Sequence, residues 1–411
     1  MLRIISSSDT RAIGRLLDRS ARQDPGLEKR VAAIVADVRR AGDRALVAYA
    51  KRFDGLQGDL EVTQEEIEAG IRATPASVRR ALRTAAKRIR LVARAQVPRD
   101  ARVVVAPGVV IEQRVTPLRR VGCYVPGGRY PLPSSLLMTA IPARVAGVPE
   151  VVAVCPKPAP SVLAAAAEAG VTKVYRAGGA HAIAALAYGT ATVPRVDKIV
   201  GPGSAYVASA KSQVAPDCAI DFFAGPSEIV IVSTKGDPAW LAADLIAQAE
   251  HDVDARAILI TTGKRLAERV RREVARQLPE SGPARASLER NGAIVLVRSQ
   301  REAIALADRI APEHLVCDDE AVVDGVRAGA TFVGAWSAQA AGDYATGSNH
   351  VLPTLGAARF RGGLSAADFV RISSVQRLTR RGIGQVGPAA ITLAEAEGLA
   401  AHARSIALRL R

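Results

Sequence analysis

Five histidines occur in the chain, His181, His251, His314, His350 and His402, and four of them have neighbours able to share chemistry with an imidazole. Gln248 and His251 lie in ADLIAQAEHD at i and i+3, a spacing that puts both side chains on one face of a helix and offers a metal ion an amide oxygen and a ring nitrogen. Glu313 and His314 are adjacent in APEHLV, after a proline and at the mouth of an apparent strand, so two proton-handling groups reach one place. The loop AGDYATGSNHVLPT (341 to 354) carries Asp343 and His350, and EGLAAHARS (397 to 405) carries Glu397 and His402. The last two are five residues apart. On an ideal helix that separates them by roughly 140°, so they can converge only at a helix end or a break.

Each feature alone also has an ordinary reading. A lone helical histidine is more often a hydrogen-bonded or surface residue than a ligand. Cys123, Cys155, Cys218 and Cys317 are widely spaced with no C-x-x-C, which predicts small buried hydrophobes and neither a disulfide framework nor a structural zinc site. The turn G-P-G-S-A-Y (201 to 206) lacks the third glycine of a dinucleotide fingerprint.

The elements that must position these residues change character along the chain. The first hundred residues predict helices, with apolar residues at three-to-four spacing over 27 to 53 and a capping box at Thr63 and Glu66. Short β-branched runs follow at 102 to 106 and 108 to 115, then the Gly/Pro-rich stretch VPGGRYPLP (125 to 133). Beyond it, apolar runs at 150 to 155, 173 to 178, 198 to 201, 228 to 233, 256 to 261 and 293 to 298 alternate with Ala-rich helical stretches. Strand then helix, repeated, predicts parallel sheets with helices on both faces. The Gly-Pro elements VGPGS (200 to 204) and AGPSE (224 to 228) point to two similar α/β units, and the tail after Arg371 reads as helix without core-forming strands.

Length and composition bound the function. A chain of 411 residues with 49% hydrophobic and 23% charged residues implies more than one folded core. The formal charge of +16 raises the question of nucleic acid, but the basic residues are spread over helices such as SVRRALRTAAKRIRLVARAQ (77 to 96) and are not interleaved with aromatics that could stack on bases. A basic field suits the attraction of an anionic dinucleotide. Neither a signal peptide nor an apolar run long enough for a membrane span is read, so a reducing cytoplasm is expected.

The ordered set VGCYVPGG, LPSSLLMTAIPA, AGGAHAIAALAYGT, DKIVGPGSAYV, AGPSEIV, AQAEHD, APEHL, GDYATGSNHVLPT and EGLAAH resembles the histidinol dehydrogenase family over nearly the whole chain. Only the N-terminal helical region matches loosely, through features such as RFDG (52 to 55). The resemblance implies an α/β fold of two incomplete Rossmann-like parallel-sheet domains with a helical N-terminal arm (1–20) and a helical C-terminal tail (366–411). Residues 21–116 and 227–365 would form one discontinuous domain, and 117–226 the NAD-binding one. It also implies a homodimer with intertwined arms and shared active sites.

For the site, the resemblance implies one zinc per subunit held by Gln248, His251, Asp343 and His402, the last from the partner subunit. It further implies a four-electron oxidation of histidinol to histidine through an aldehyde, with two NAD used in succession. His314 would remove the alcohol proton and Glu313 would activate the water that adds to the aldehyde. Ser134, Ser227, His350 and Glu397 match positions that contact substrate. The family's NAD contacts are a Tyr, a Gln and an Asn; here they fall on Tyr124, His181 and Ser204. The two replacements still hydrogen-bond, so altered dinucleotide contacts are expected, with activity kept. Two competing readings are a related enzyme acting on another diol or amino alcohol, and a basic binding protein that has lost activity. The intact metal and proton-handling positions speak against the second.

Overall fold

The computed structural model describes residues 2–18, 25–127, 130–222 and 225–411. Parts of three expectations therefore lie outside the described residues: the end of the N-terminal arm at 20, residues 128 and 129 of the Gly/Pro stretch, and residue 224 of AGPSE. In chain order the strands are β1 (Arg3–Ser6), β2 (Ala101–Ala106), β3 (Val109–Pro117), β4 (Arg120–Tyr124), β5 (Glu150–Val154), β6 (Lys173–Tyr175), β7 (Lys198–Val200) and β8 (Ala219–Ile220). They continue with β9 (Glu228–Val232), β10 (Arg256–Thr261), β11 (Ala293–Leu296), β12 (His314–Cys317), β13 (Ala330–Val333) and β14 (Val370–Leu378).

Two parallel sheets carry the architecture, ordered β6-β5-β4-β7-β8 and β1-β11-β10-β9-β12-β13. Their strands read as continuous apolar runs because both faces are covered. In β5, Val151 and Ala153 pack with helices Ala76–Gln96, Pro133–Val145 and Pro160–Ala169, while Val152 and Val154 pack with helices Pro25–Ala41, Gly179–Tyr188 and Ala205–Val214. The six-stranded sheet repeats the plan. Ile229, Ile231 and Leu259 face helices Pro238–Ala249 and Lys264–Gln277, and Val230, Ile258 and Leu315 face helix Gln300–Ile310. The capping box forms as expected, with the Thr63 hydroxyl accepting from Glu66 N and the Glu66 carboxylate accepting from Thr63 N. All four cysteines are free and buried.

The parallel-sheet class holds, and three details differ from the sequence reading. First, helices 25–41 and 76–96, grouped with 227–365 above, pack instead on the five-stranded sheet, where Leu82, Ala86, Ile89 and Ala93 present a stripe at three-to-four spacing. An apolar stripe requires a partner surface without naming it. Second, the N-terminal segment is not a helical arm alone: β1 pairs in parallel with β11, and Ile13 of helix Thr10–Leu17 enters the core below that sheet. Third, the tail holds a nine-residue strand, β14, antiparallel to β3 in a separate three-stranded sheet β14-β3-β2. VRISSVQRL lacks an apolar face buried within the chain, so no hydrophobic alternation marked it. The helix expected beyond is interrupted by Gly398 at φ 74, leaving helices Arg380–Ala396 and Ala400–Ala407.

Candidate active site

Glu228 and His314 open adjacent parallel strands, with His314 in register with Ile229. The peptide groups of Glu228 anchor both members of the acid–imidazole pair. Its N–H donates to Glu313 Oε2 at 2.8 Å, and its carbonyl oxygen accepts from His314 Nδ1 at 3.2 Å. A carbonyl can only accept, so the neutral ring carries its proton on Nδ1 and keeps a lone pair at Nε2. That Nε2 has no hydrogen-bond partner and lies 3.9 Å from Asp343 Oδ1. Burial drives the His314 imidazole down to about 4, against the upward pull of the Asp343 carboxylate. Burial pushes Glu313 in the other direction, well above the usual carboxylate range, and the charges of Glu228 and Asp343 add to it. A neutral imidazole and a carboxyl that binds its proton tightly thus stand side by side, 3.6 Å apart.

Asp343 is held from helix Gln339–Tyr344, where Gln339 Nε2 donates to its Oδ2 at 2.9 Å. Its carbonyl accepts from His350 Nδ1 at 2.8 Å, which leaves His350 Nε2 as the ring's acceptor. Asn349, next in the same loop, donates to the carbonyl of Met138 at 2.7 Å and ties the loop to helix Pro133–Val145, the helix that carries Ser134. Gln248 sits in the last turn of helix Pro238–Ala249, wholly buried, with neither its Nε2 nor its Oε1 bonded. His251 lies just beyond that helix, its N–H still on the Gln248 carbonyl at 3.3 Å, and its charge bears on both His314 and His350. The negative end of the helix dipole points here, which suits a cation. Ser227 is half-buried one residue before Glu228.

The structure therefore gathers Gln248, His251, Glu313, His314, Asp343 and His350 at the N-terminal edge of the six-stranded sheet. It does not add Glu397 and His402, which stand exposed at the break between the two C-terminal helices. Among the described residues no three His, Cys, Asp or Glu side chains come close enough to hold a metal ion. Sequence reading missed Glu228 and Gln339, which act here through peptide groups and an amide that no motif marks.

The dinucleotide candidates lie elsewhere, at the C-terminal ends of β4 and β7. These strands are the topological switch point of the five-stranded sheet, where open α/β sheets leave a crevice. Tyr124 ends β4, its phenol accepting from Gly179 N at 3.1 Å and pushed up to about 12 by burial. Ser204 is exposed at the start of helix Ala205–Val214, with its hydroxyl making no capping bond. His181 is only 2% exposed, and its Nε2 donates to Asp54 Oδ2 at 2.8 Å. Asp54 also accepts from Gly178 N at 2.9 Å, so a carboxylate that sequence reading did not single out organises this corner.

The sequence profile of the histidinol dehydrogenase family matches residues 17–410. The chain belongs to the histidinol dehydrogenase family. Among its relatives, the histidinol dehydrogenase of Rhizobium meliloti (strain 1021) is 50% identical over 395 residues, covering 92% of this chain and 91% of its own. That of Methylococcus capsulatus is 48% identical over 415 residues, covering 97% and 95%. The crystal structure of histidinol dehydrogenase from Elizabethkingia anophelis superposes with a TM-score of 0.94 at 32% identity, covering 100% of this chain and 98% of that one. Membership of the histidinol dehydrogenase family places the chain among the oxidoreductases. No helix of the described residues is long and apolar enough to cross a membrane.

Proposed function

We propose that this chain oxidises L-histidinol to L-histidine through the aldehyde histidinal, with zinc in the site and two NAD consumed in succession. The observation that carries the reading is the Glu313–His314 pair, fixed on Glu228 and set beside Asp343, in a chain of the histidinol dehydrogenase family. His314 takes the alcohol proton at its free Nε2 as hydride leaves the carbinol carbon. Glu313, in its ionised form, takes a proton from the water that adds to the aldehyde; its raised affinity for protons makes it a stronger base than an exposed carboxylate. The resulting gem-diolate passes a second hydride to the second NAD, giving the carboxylic acid, which releases its proton to solvent and leaves as the carboxylate.

The donor types of Gln248, His251, Asp343 and His402 support the reading with zinc. Gln248 presents an amide with unmade bonds in a fully buried position, and burying such a group without a partner is unfavourable unless something binds it. Gln248, His251 and Asp343 would hold the ion with His402 from a second copy, and bound zinc would supply a Lewis acid at the alcohol oxygen. The second copy is supported by the exposed apolar surface of the three-stranded sheet and tail, where Val103, Val104, Val105, Ile372, Leu393 and Leu408 are each more than half exposed. Ser134, Ser227, His350 and Glu397 would orient substrate. Tyr124, Ser204 and the His181 corner, within 117–226, would receive NAD.

The test is stoichiometric. Zinc-loaded protein incubated with histidinol and NAD should yield two NADH per histidine. NADH from other amino alcohols but none from histidinol would assign the site to a different substrate.

A further inference from the structure

The turn that follows β7 is gripped by a buried ion pair. Gly201 adopts φ 118, and a Cβ there would collide with the carbonyl oxygen of Tyr124, so the turn lies directly against the end of β4. Both peptide groups of Gly201 are captured by charged side chains. Its N–H donates to Asp221 Oδ2 at 2.8 Å, and its carbonyl accepts from Lys211 Nζ at 3.0 Å. Lys211 and Asp221 bond to each other and are 3% and 4% exposed. The pair spans two elements: Lys211 comes from the helix that starts after the turn, and Asp221 directly follows β8. Arg361 in turn donates to the Asp221 carbonyl and stacks over Phe222 at 4.5 Å.

A buried ion pair is a poor device for stability alone, because apolar residues of similar volume commonly serve as well or better. What this pair does that apolar residues cannot is hold the two peptide units that meet at Gly201, one by its N–H and the other by its carbonyl. We propose that Lys211 and Asp221 are positioning residues for the dinucleotide: they fix the Gly201-Pro202-Gly203 turn so that Ser204 and the adjoining helix start face the crevice beside Tyr124. The proposal rests on placing NAD at that crevice.

The experiment uses the zinc-loaded full chain in steady state, with NAD and histidinol varied separately and NADH binding followed by its fluorescence. Lys211→Met should raise the KM for NAD by about tenfold or more, as expected when a binding group is displaced by a fraction of an ångström, and leave the KM for histidinol within twofold. The double variant Lys211→Met/Asp221→Asn leaves no unpaired buried charge and serves if the single variant does not fold; it should show the same split and weaker NADH binding. Tyr124→Ala is the control for the site. An unchanged KM for NAD in the double variant, alongside a raised one in Tyr124→Ala, overturns the clamp but leaves the site standing. A rise in both KM values also overturns it, pointing to a general disturbance of the path toward Ser227. No effect on NAD from either the double variant or Tyr124→Ala overturns the dinucleotide site and the clamp together.

Discussion

His314 Nδ1 is fixed on the carbonyl oxygen of Glu228 at 3.2 Å, while its other nitrogen is left facing Asp343. The ring nitrogen left free to accept a proton is therefore chosen by a backbone group at the start of β9. Glu313→Gln should slow oxidation of supplied histidinal by at least tenfold more than it slows the alcohol step, because a base for water is needed only in the second half. His314→Asn should depress both halves. Equal damage to both steps by Glu313→Gln would contradict this division of labour.

Gln248 sets stability against function. Its amide is buried with nothing bonded to nitrogen or oxygen, and each unmet group costs about 1–3 kcal/mol. Gln248→Leu should therefore make the chelated protein more stable, by about 1–2 kcal/mol in a denaturant titration, while zinc content after dialysis falls. A chelated variant less stable than the chelated parent would mean that the amide is satisfied in solution.

If His402 serves the site of a second copy, lesions on the two chains complement each other. His251→Ala and His402→Ala proteins should each be nearly inactive. Random re-association of equal amounts should restore about a quarter of parental activity, since half the dimers are mixed and half of their sites are complete. No recovery under conditions shown to exchange subunits would confine the metal site to one chain.

Asp244, one turn before Gln248 on the same helix, is raised from 3.8 to about 6 by burial, with no charged partner contributing. A carboxyl whose pKa is raised by folding contributes most stability below its unfolded value, and the contribution is lost as pH rises toward 6. Asp244→Asn should accordingly match the parent near pH 4 and exceed it at pH 8, on the order of 2 kcal/mol. Melting curves at the two pH values decide it; a variant less stable than the parent at pH 8 would reverse the sign and sink the argument.

Much of this was readable in advance, for a physical reason. β5, β9 and β10 are buried on both faces and so appear as unbroken apolar runs, and the helices between them supply the alternating pattern of a parallel sheet. β1 and β13 escaped because they are the edge strands of the six-stranded sheet, only partly buried, and lack the unbroken apolar run of a central strand, and β14 because neither of its faces is buried within the chain. At the site, Gln248 with His251 and Glu313 with His314 stand out in the sequence because side-chain type and spacing mark them as neighbours. Glu228 was not, since it works through the peptide group that nearly every residue has. Asp54 and His181 meet across 127 positions of sequence, a distance over which no spacing rule operates.

The pairing of Arg3 with Ala293 has a consequence for how the chain is made. At bacterial-to-eukaryotic elongation rates of about 5–20 residues per second, the first strand leaves the ribosome roughly 15–60 s before the strand it must join exists. The five-stranded unit, drawn from a nearly continuous stretch, can form while synthesis proceeds; the six-stranded sheet must wait for its own beginning to be recaptured. During that interval Arg3–Ser6 is an unpaired β segment beside the N-terminus, open to pairing with a neighbouring nascent chain.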